Sequence, residues 1–257
     1  LGYYVRGKFE YGPYYRTYSF NPMEGNRFRI GGRTSNDFST KVMYSGHVAY
    51  GTKDRKFKYG LGAMYMFSKE PRVSAGLYYK YDIEQLGQSV NAFTESNILA
   101  SLLARNPRDK LLMVREMKGF YEREWFLGFS NALHFRHRII YPSDNIFFED
   151  KEHDISYDDI TAFELRLNTR FAWNEKFVYG EFERISFGSE YPILSLDLTA
   201  GFKNVIKSDY NYYKAHLAID HHFDINVLGF FKYKVEAGKI WGDLPYPLLR
   251  LHAGNET

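Results

Sequence analysis

Apolar residues recur at every second position along this chain in stretches of about ten, a period that only extended strands with one apolar and one polar face can use. From Tyr3 to Tyr11 the odd positions carry Val5 and Phe9, and the even ones Arg6, Lys8 and Glu10. From Phe163 to Trp173 the odd positions include Leu165, Leu167 and Phe171, set against Glu164, Arg166 and Arg170. The same alternation predicts further strands at 26–33, 41–50, 56–67, 73–81, 111–122, 125–138, 191–202, 210–222 and 229–239, about eleven in all. Strands of that length suit a tilted bilayer crossing, and the expected fold is all-β, an antiparallel transmembrane β-barrel.

Composition fits that expectation. Aromatic residues make up 19% of the chain, yet mean hydropathy is only −0.46. Outer-membrane barrels combine these two properties because aromatic girdles flank a narrow lipid-facing band around a polar interior. The longest apolar runs, such as Leu111 to Val114, fall far short of the roughly 18 residues a spanning helix needs. Soluble β-sandwiches and propellers also alternate, but their strands run nearer five or six residues. The absence of cysteine excludes disulfides, thiolate metal sites and cysteine nucleophiles. A net charge of +3 with mixed signs carries no nucleic-acid signature.

The alternation breaks at three long connections, 12–25, 86–110 and 139–159. Within the second, Phe93, Ile98, Leu99, Leu102 and Leu103 stand near helical spacing before Asn106-Pro107, which predicts a helical turn. Between 174 and 210 the alternation is irregular. A chain that opens on Leu1 and stops at Thr257 reads as one barrel domain cut from a longer protein.

Alternation also assigns faces. The residues expected to line the lumen are Arg6, Lys8, Glu10, Arg27, Arg29, Lys56, Lys58, Glu164, Arg166, Arg170, Lys232, Lys234 and Glu236. Those expected to face lipid are Val5, Phe9, Val42, Tyr44, Leu61, Tyr65, Leu77, Leu165, Leu167 and Phe171. A lining of this kind either tunes ion passage or pairs across the lumen and fills it. Catalytic chemistry finds no support. Ser130 and His134 share a face, but strand rise separates them by about 13 Å, too far for a nucleophile and its base. The acidic stretch Glu149 to Asp159 lacks the glycine and spacing of a calcium loop, and His221 and His222 face opposite sides of a strand. No cofactor or metal is expected. The expected partners are the lipid bilayer and other envelope proteins, with no nucleic acid.

Three segments resemble one family: Asn21-Pro22-Met23-Glu24-Gly25-Asn26-Arg27-Phe28-Arg29-Ile30-Gly31-Gly32-Arg33-Thr34, the run from Ala49 to Gly60, and Leu244-Pro245-Tyr246-Pro247-Leu248-Leu249 through Gly254-Asn255-Glu256-Thr257. They are similar to Bacteroidota outer-membrane proteins in which a carboxypeptidase regulatory-like β-sandwich precedes a barrel of unknown function. Arg27 to Gly32 is also similar to the surface-antigen barrels that insert or secrete other outer-membrane proteins. The resemblance implies an outer-membrane location, an upstream sandwich and further C-terminal strands, and a role in transport or outer-membrane biogenesis. A structural, partner-docking barrel with a plugged lumen is the competing class, and a lipid-acting enzyme a third.

The facing assignment makes a direct prediction. Leu165→Arg or Leu167→Arg should impair membrane insertion by about 2–4 kcal/mol near the midplane, whereas Arg166→Leu should insert normally. Equal insertion of all three variants, measured by protease protection in vesicles, would refute the assignment.

Overall fold

The computed structural model describes residues 2–85, 111–143, 148–150, 155–224 and 229–249. Their strands are β1 (Tyr4–Arg6), β2 (Phe9–Tyr11), β3 (Tyr18–Asn21), β4 (Gly25–Thr34), β5 (Val42–Gly51), β6 (Phe57–Ser68), β7 (Val73–Gln85), β8 (Leu111–Phe126) and β9 (Phe129–Tyr141). There follow β10 (Phe148–Asp150), β11 (Ile155–Tyr157), β12 (Ile160–Ala172), β13 (Lys176–Tyr179), β14 (Arg184–Gly188), β15 (Ile193–Gly201), β16 (Tyr212–Asp224) and β17 (Phe230–Trp241). Among the described residues only single 3-10 turns, such as Tyr14–Arg16, interrupt the strands. Among the described residues no helix is long and apolar enough to cross a membrane, which says nothing about crossing by strands.

Thirteen strands join one antiparallel sheet in the order β1-β2-β4-β5-β6-β7-β8-β9-β12-β15-β16-β17, with β3 beside β4. The sheet is open among the described residues: β1 and β17 are its edges and do not pair with each other. Of the expected fold the all-β antiparallel sheet is present, and closure into a barrel is not seen among the described residues.

Chain order and spatial order coincide because each connection returns the chain to its neighbour, so the ends of the sheet differ in kind. At one, the turn end, lie the connections 35–41, 69–72, 127–128, 173–192 and 225–229; at the other, the loop end, lie 52–56, 86–110, 142–159 and 202–211.

Two sequence expectations are corrected. The stretch 3–11 is not one strand: Gly7 and Lys8 form a two-residue turn with Gly7 at φ 56°, pairing Val5 with Glu10 and Arg6 with Phe9. Such a turn preserves the two-residue period along the chain but exchanges the faces beyond it, which is why counting missed it. Val5 thus shares a face with Glu10, and Arg6 with Phe9. The stretch 12–25 is not simply a loop. β2 and β3 both lie along the same side of β4 and act as one strand interrupted at residues 12–17. Smaller shifts extend the 73–81 strand to Gln85 and move the turn between β8 and β9 to Leu127-Gly128. The 92–105 segment lies outside the described residues.

Register separates the faces across the whole sheet. On one side lie Tyr44 and Val48 of β5, Leu61 and Tyr65 of β6, Leu77 of β7, Leu133 of β9, Leu167 of β12, Leu198 of β15 and Leu217 of β16, all exposed. The other side carries nearly all the charge and includes two small apolar clusters. Leu112, Val114, Ile140, Phe148, Ile160, Ala162, Tyr212 and Leu248 form one at the loop end, and Met64, Met66 and Phe182 form the other towards the turn end.

The turn between β8 and β9 depends on glycine. Gly128 has φ 91°, and a Cβ there would stand 2.1 Å from the Ala172 carbonyl oxygen. Gly128→Val should cost roughly 1–3 kcal/mol or more through strain and displacement of that neighbour. Thermal unfolding followed by circular dichroism checks this; an unchanged transition would contradict the turn geometry.

Candidate functional site: a charged concavity bridged by an inward hairpin

Side chains directed to the polar side of β4 through β17 surround a concavity of about 1340 Å³. The same face of the sheet carries ion pairs throughout, because charges removed from water require partners; of these, Arg166 with Asp197 and Arg33 with Glu183 line the concavity itself. On β4, Arg27 makes a bidentate contact with Asp82 of β7 at 2.7 and 2.9 Å and also reaches Glu24 at 2.9 Å. His47 Nε2 of β5 stands 3.0 Å from the same Asp82 carboxylate. The fully buried Lys58 of β6 lies between Glu24, at 2.8 Å, and Asp54, which ties the 52–56 turn to the interior.

Further round the sheet, Glu116 of β8 accepts from Arg136 at 2.6 Å and Arg138 at 2.9 Å, both on β9. Arg138 continues to Glu84 at 2.6 Å, and Lys80 pairs with the same Glu84. Glu164 of β12 accepts from the Tyr212 hydroxyl at 2.5 Å and Lys214 at 3.2 Å. Asp197 of β15 holds Arg166 at 2.7 Å and Asn168 at 2.8 Å. The set links cations and acids strand to strand around the wall.

Between β12 and β15 the chain turns into this concavity. The β13–β14 hairpin enters at the turn end and is fixed to strands far away in sequence. Glu183 pairs with Arg33 of β4 at 2.7 Å, and Glu181 with Lys69 in the β6–β7 turn. Arg72 donates to the Phe182 carbonyl at 2.9 Å, and Arg184 pairs with the buried Glu124 of β8 at 2.9 Å. The Phe182 ring, only 6% exposed, packs on Met64 and Met66. Arg184 also lies over the Phe177 ring at 4.4 Å. At its root the hairpin is tied by Arg170 to Glu175 at 2.6 Å and by Glu175 to Ser186. Partial burial and the neighbouring Glu70 carboxylate raise the Tyr179 phenol above its ordinary range. At the loop end the interior carries the apolar cluster around Tyr212, to which Phe148 of β10 and Leu248, after β17, contribute.

The sequence-expected lining falls into three groups. Glu10, Arg27, Lys58, Glu164, Arg166 and Arg170 lie in the networks above, with Glu10 on Arg33 at 2.6 Å. Lys234 and Glu236 pair with each other at 2.8 Å, and Arg29 and Lys232 share the charged face on β4 and β17. Lys56 and Lys8 are in turns, and Arg6 is on the opposite face. Of the expected apolar set, Phe9, Val42, Tyr44, Leu61, Tyr65, Leu77, Leu165, Leu167 and Phe171 share the face opposite the networks; Val5 does not.

Sequence reasoning passed over Glu24, Asp54, Asp82, Glu84, Glu116, Arg136, Arg138, Asp197 and Lys214. Parity on the predicted 111–122, 125–138, 191–202 and 210–222 strands was signal enough for five of them. The hairpin was legible only as the broken alternation after residue 174, joined to the dense Glu181-Phe182-Glu183-Arg184 run. Among the described residues no cluster of His, Asp or Glu has the arrangement of a metal site.

Phe182→Ala should release the hairpin by removing about 3–5 kcal/mol of packing. Limited proteolysis should then cut within 176–188 faster while circular dichroism of the sheet is kept. Unchanged cleavage would refute the docking of the hairpin as a packed element.

A family model described as "Family of unknown function (DUF5686) C-terminal domain" matches residues 2–243. No curated protein matches the chain.

Proposed function

The chain belongs to that family of unknown function as its C-terminal domain, and on this premise we propose an outer-membrane β-barrel protein of the transport or outer-membrane biogenesis type, its passage held shut by the β13–β14 hairpin. The observation that carries the reading is the segregation of faces: a continuous, exposed apolar surface rich in Tyr, Phe and Leu backs onto an ion-paired interior. A soluble protein gains nothing from so large an apolar surface, whereas a bilayer covers it. Apart from the inward segment 173–192, connections at the turn end are short, and three of the four at the loop end are long, which supports a periplasmic turn end and an external loop end. The C-terminal position of the matched domain supports an upstream part of the protein, read as the carboxypeptidase regulatory-like sandwich of a Bacteroidota envelope protein.

The inward charges favour a filled interior over a permanently open pore, because carboxylates and cations satisfy one another in place of water and ions. The hairpin is the movable part, since polar contacts and one aromatic ring hold it to the wall. The second reading, a barrel that docks partners and conducts nothing, draws support from the apolar cluster at the loop end.

Reconstitution of the full-length protein in planar bilayers, with and without residues 177–187 replaced by a short Gly-Ser link, tests the proposal. The expected result is a quiet wild type and stable, ion-selective steps in the replacement. Silence from both proteins after verified insertion would transfer the assignment to the docking role. Failure to insert would overturn the membrane reading.

A further inference from the structure

Charge on the apolar face is of one sign. Among the described residues, the charged side chains at its positions on the paired strands are Arg6, Arg115, Arg123 and Lys239, all cations, while the acids of those strands, from Glu10 to Glu236, take the other face. Arg115 lies over the Tyr81 ring at 5.7 Å, Arg123 over Trp125 at 4.3 Å and Lys239 over Trp241 at 5.5 Å. Aromatic contact of this kind holds a cation at the rim of an apolar surface. Arg115 and Lys239 belong to the loop end.

β16 pairs Ala215 with Lys239, and the connection between β15 and β16 belongs to the same end. Its residues Lys203, Asn204, Val205, Ile206 and Lys207 are all exposed, including Val205 at 39% and Ile206 at 53%. Asn204, Ile206 and Lys207 have φ of 66°, 49° and 62°, a left-handed backbone that a β-branched residue such as Ile206 rarely adopts. The turn is pinned in this form. The Ile206 carbonyl stands 3.1 Å from His137 Nε2 on the apolar face of β9, and Asn204 N–H donates to the Ser208 carbonyl at 2.8 Å. At its ends, Phe202 and Asp209 N–H groups donate to Phe163 and Thr161 carbonyls at 3.1 and 3.0 Å. A strained backbone thus presents two aliphatic side chains and two lysines together at the edge of the apolar face.

We propose that this turn, with Arg115 and Lys239, is a docking surface for the phosphorylated headgroups of anionic lipids in the leaflet at the loop end. The inference rests on the membrane reading above. Val205 and Ile206 enter the boundary of the acyl region, and the ammonium groups of Lys203 and Lys207 meet the phosphates above it. The cations at the strand positions of this rim match an anionic surface, while the mixed charges of the interior do not; the Asp209 carboxylate in the same connection is engaged by the Thr161 N–H at 2.8 Å.

The test uses the full-length protein reconstituted in vesicles of phosphatidylcholine alone, or with phosphatidylglycerol or lipid A, with insertion measured separately by protease protection. In Val205→Trp, the introduced indole should be quenched by brominated acyl chains beyond the quenching of the same protein without the substitution. The combined Lys203→Glu and Lys207→Glu variant should still insert but lose binding of anionic lipid, roughly fivefold for each lysine; arginine at both positions should keep it. Insertion without added quenching, or equal binding of phosphatidylcholine, would overturn the lipid surface and leave the membrane reading standing. Failure to insert at all would overturn both.

Discussion

A strand in a curled sheet has no choice about sides: every second side chain points to the concave face, whatever its chemistry. Where those positions carry arginine, lysine, aspartate and glutamate, the interior is stable only if the charges meet. In this chain they do so strand to strand, from Arg27 and Asp82 through Glu84, Arg138, Glu116 and Arg136 to Glu164 and Lys214. Each carboxylate in that chain of contacts reaches a cation on another strand, so the pairing also fixes how neighbouring strands align. The opposite face has no such demand and, among the described residues of the sheet strands, is free of acids.

Most of this was legible because the two-residue period survives in single strands. The predicted face of β12, with Leu165 and Leu167 against Glu164 and Arg166, matches its register with both neighbours. Predicted strands and observed ones agree in place from β4 to β9, with ends displaced by a few residues. What failed was what period cannot see. Gly7-Lys8 turns the chain in two residues without disturbing the alternation, so Val5 and Arg6 were put on the wrong faces. Cross-strand partners need register, which no single strand specifies. Glu24 and Asp54 lie in turns and have no period to betray them, yet both meet Lys58.

The β13–β14 hairpin escaped for a different reason. Its strands are four and five residues long, it pairs within itself, and its anchors Glu181, Phe182 and Glu183 occupy the tip between the strands. Such a segment looks like a polar loop until the wall that receives it is known. Its meaning lies in Arg33, Lys69, Arg72 and Glu124, residues drawn from two earlier strands and the turn between β6 and β7.

Those anchors also order events in time. The sheet ladder grows between chain neighbours, whereas the hairpin bond from Glu183 to Arg33 spans 150 residues, that from Glu181 to Lys69 spans 112, and that from Arg184 to Glu124 spans 60. Contacts across such separations form slowly and reward nothing until the intervening strands are in place. Loop-closure entropy accordingly favours a wall in which β4 through β12 are aligned before the hairpin docks, and makes the hairpin's anchors the contacts most dependent on the rest of the sheet.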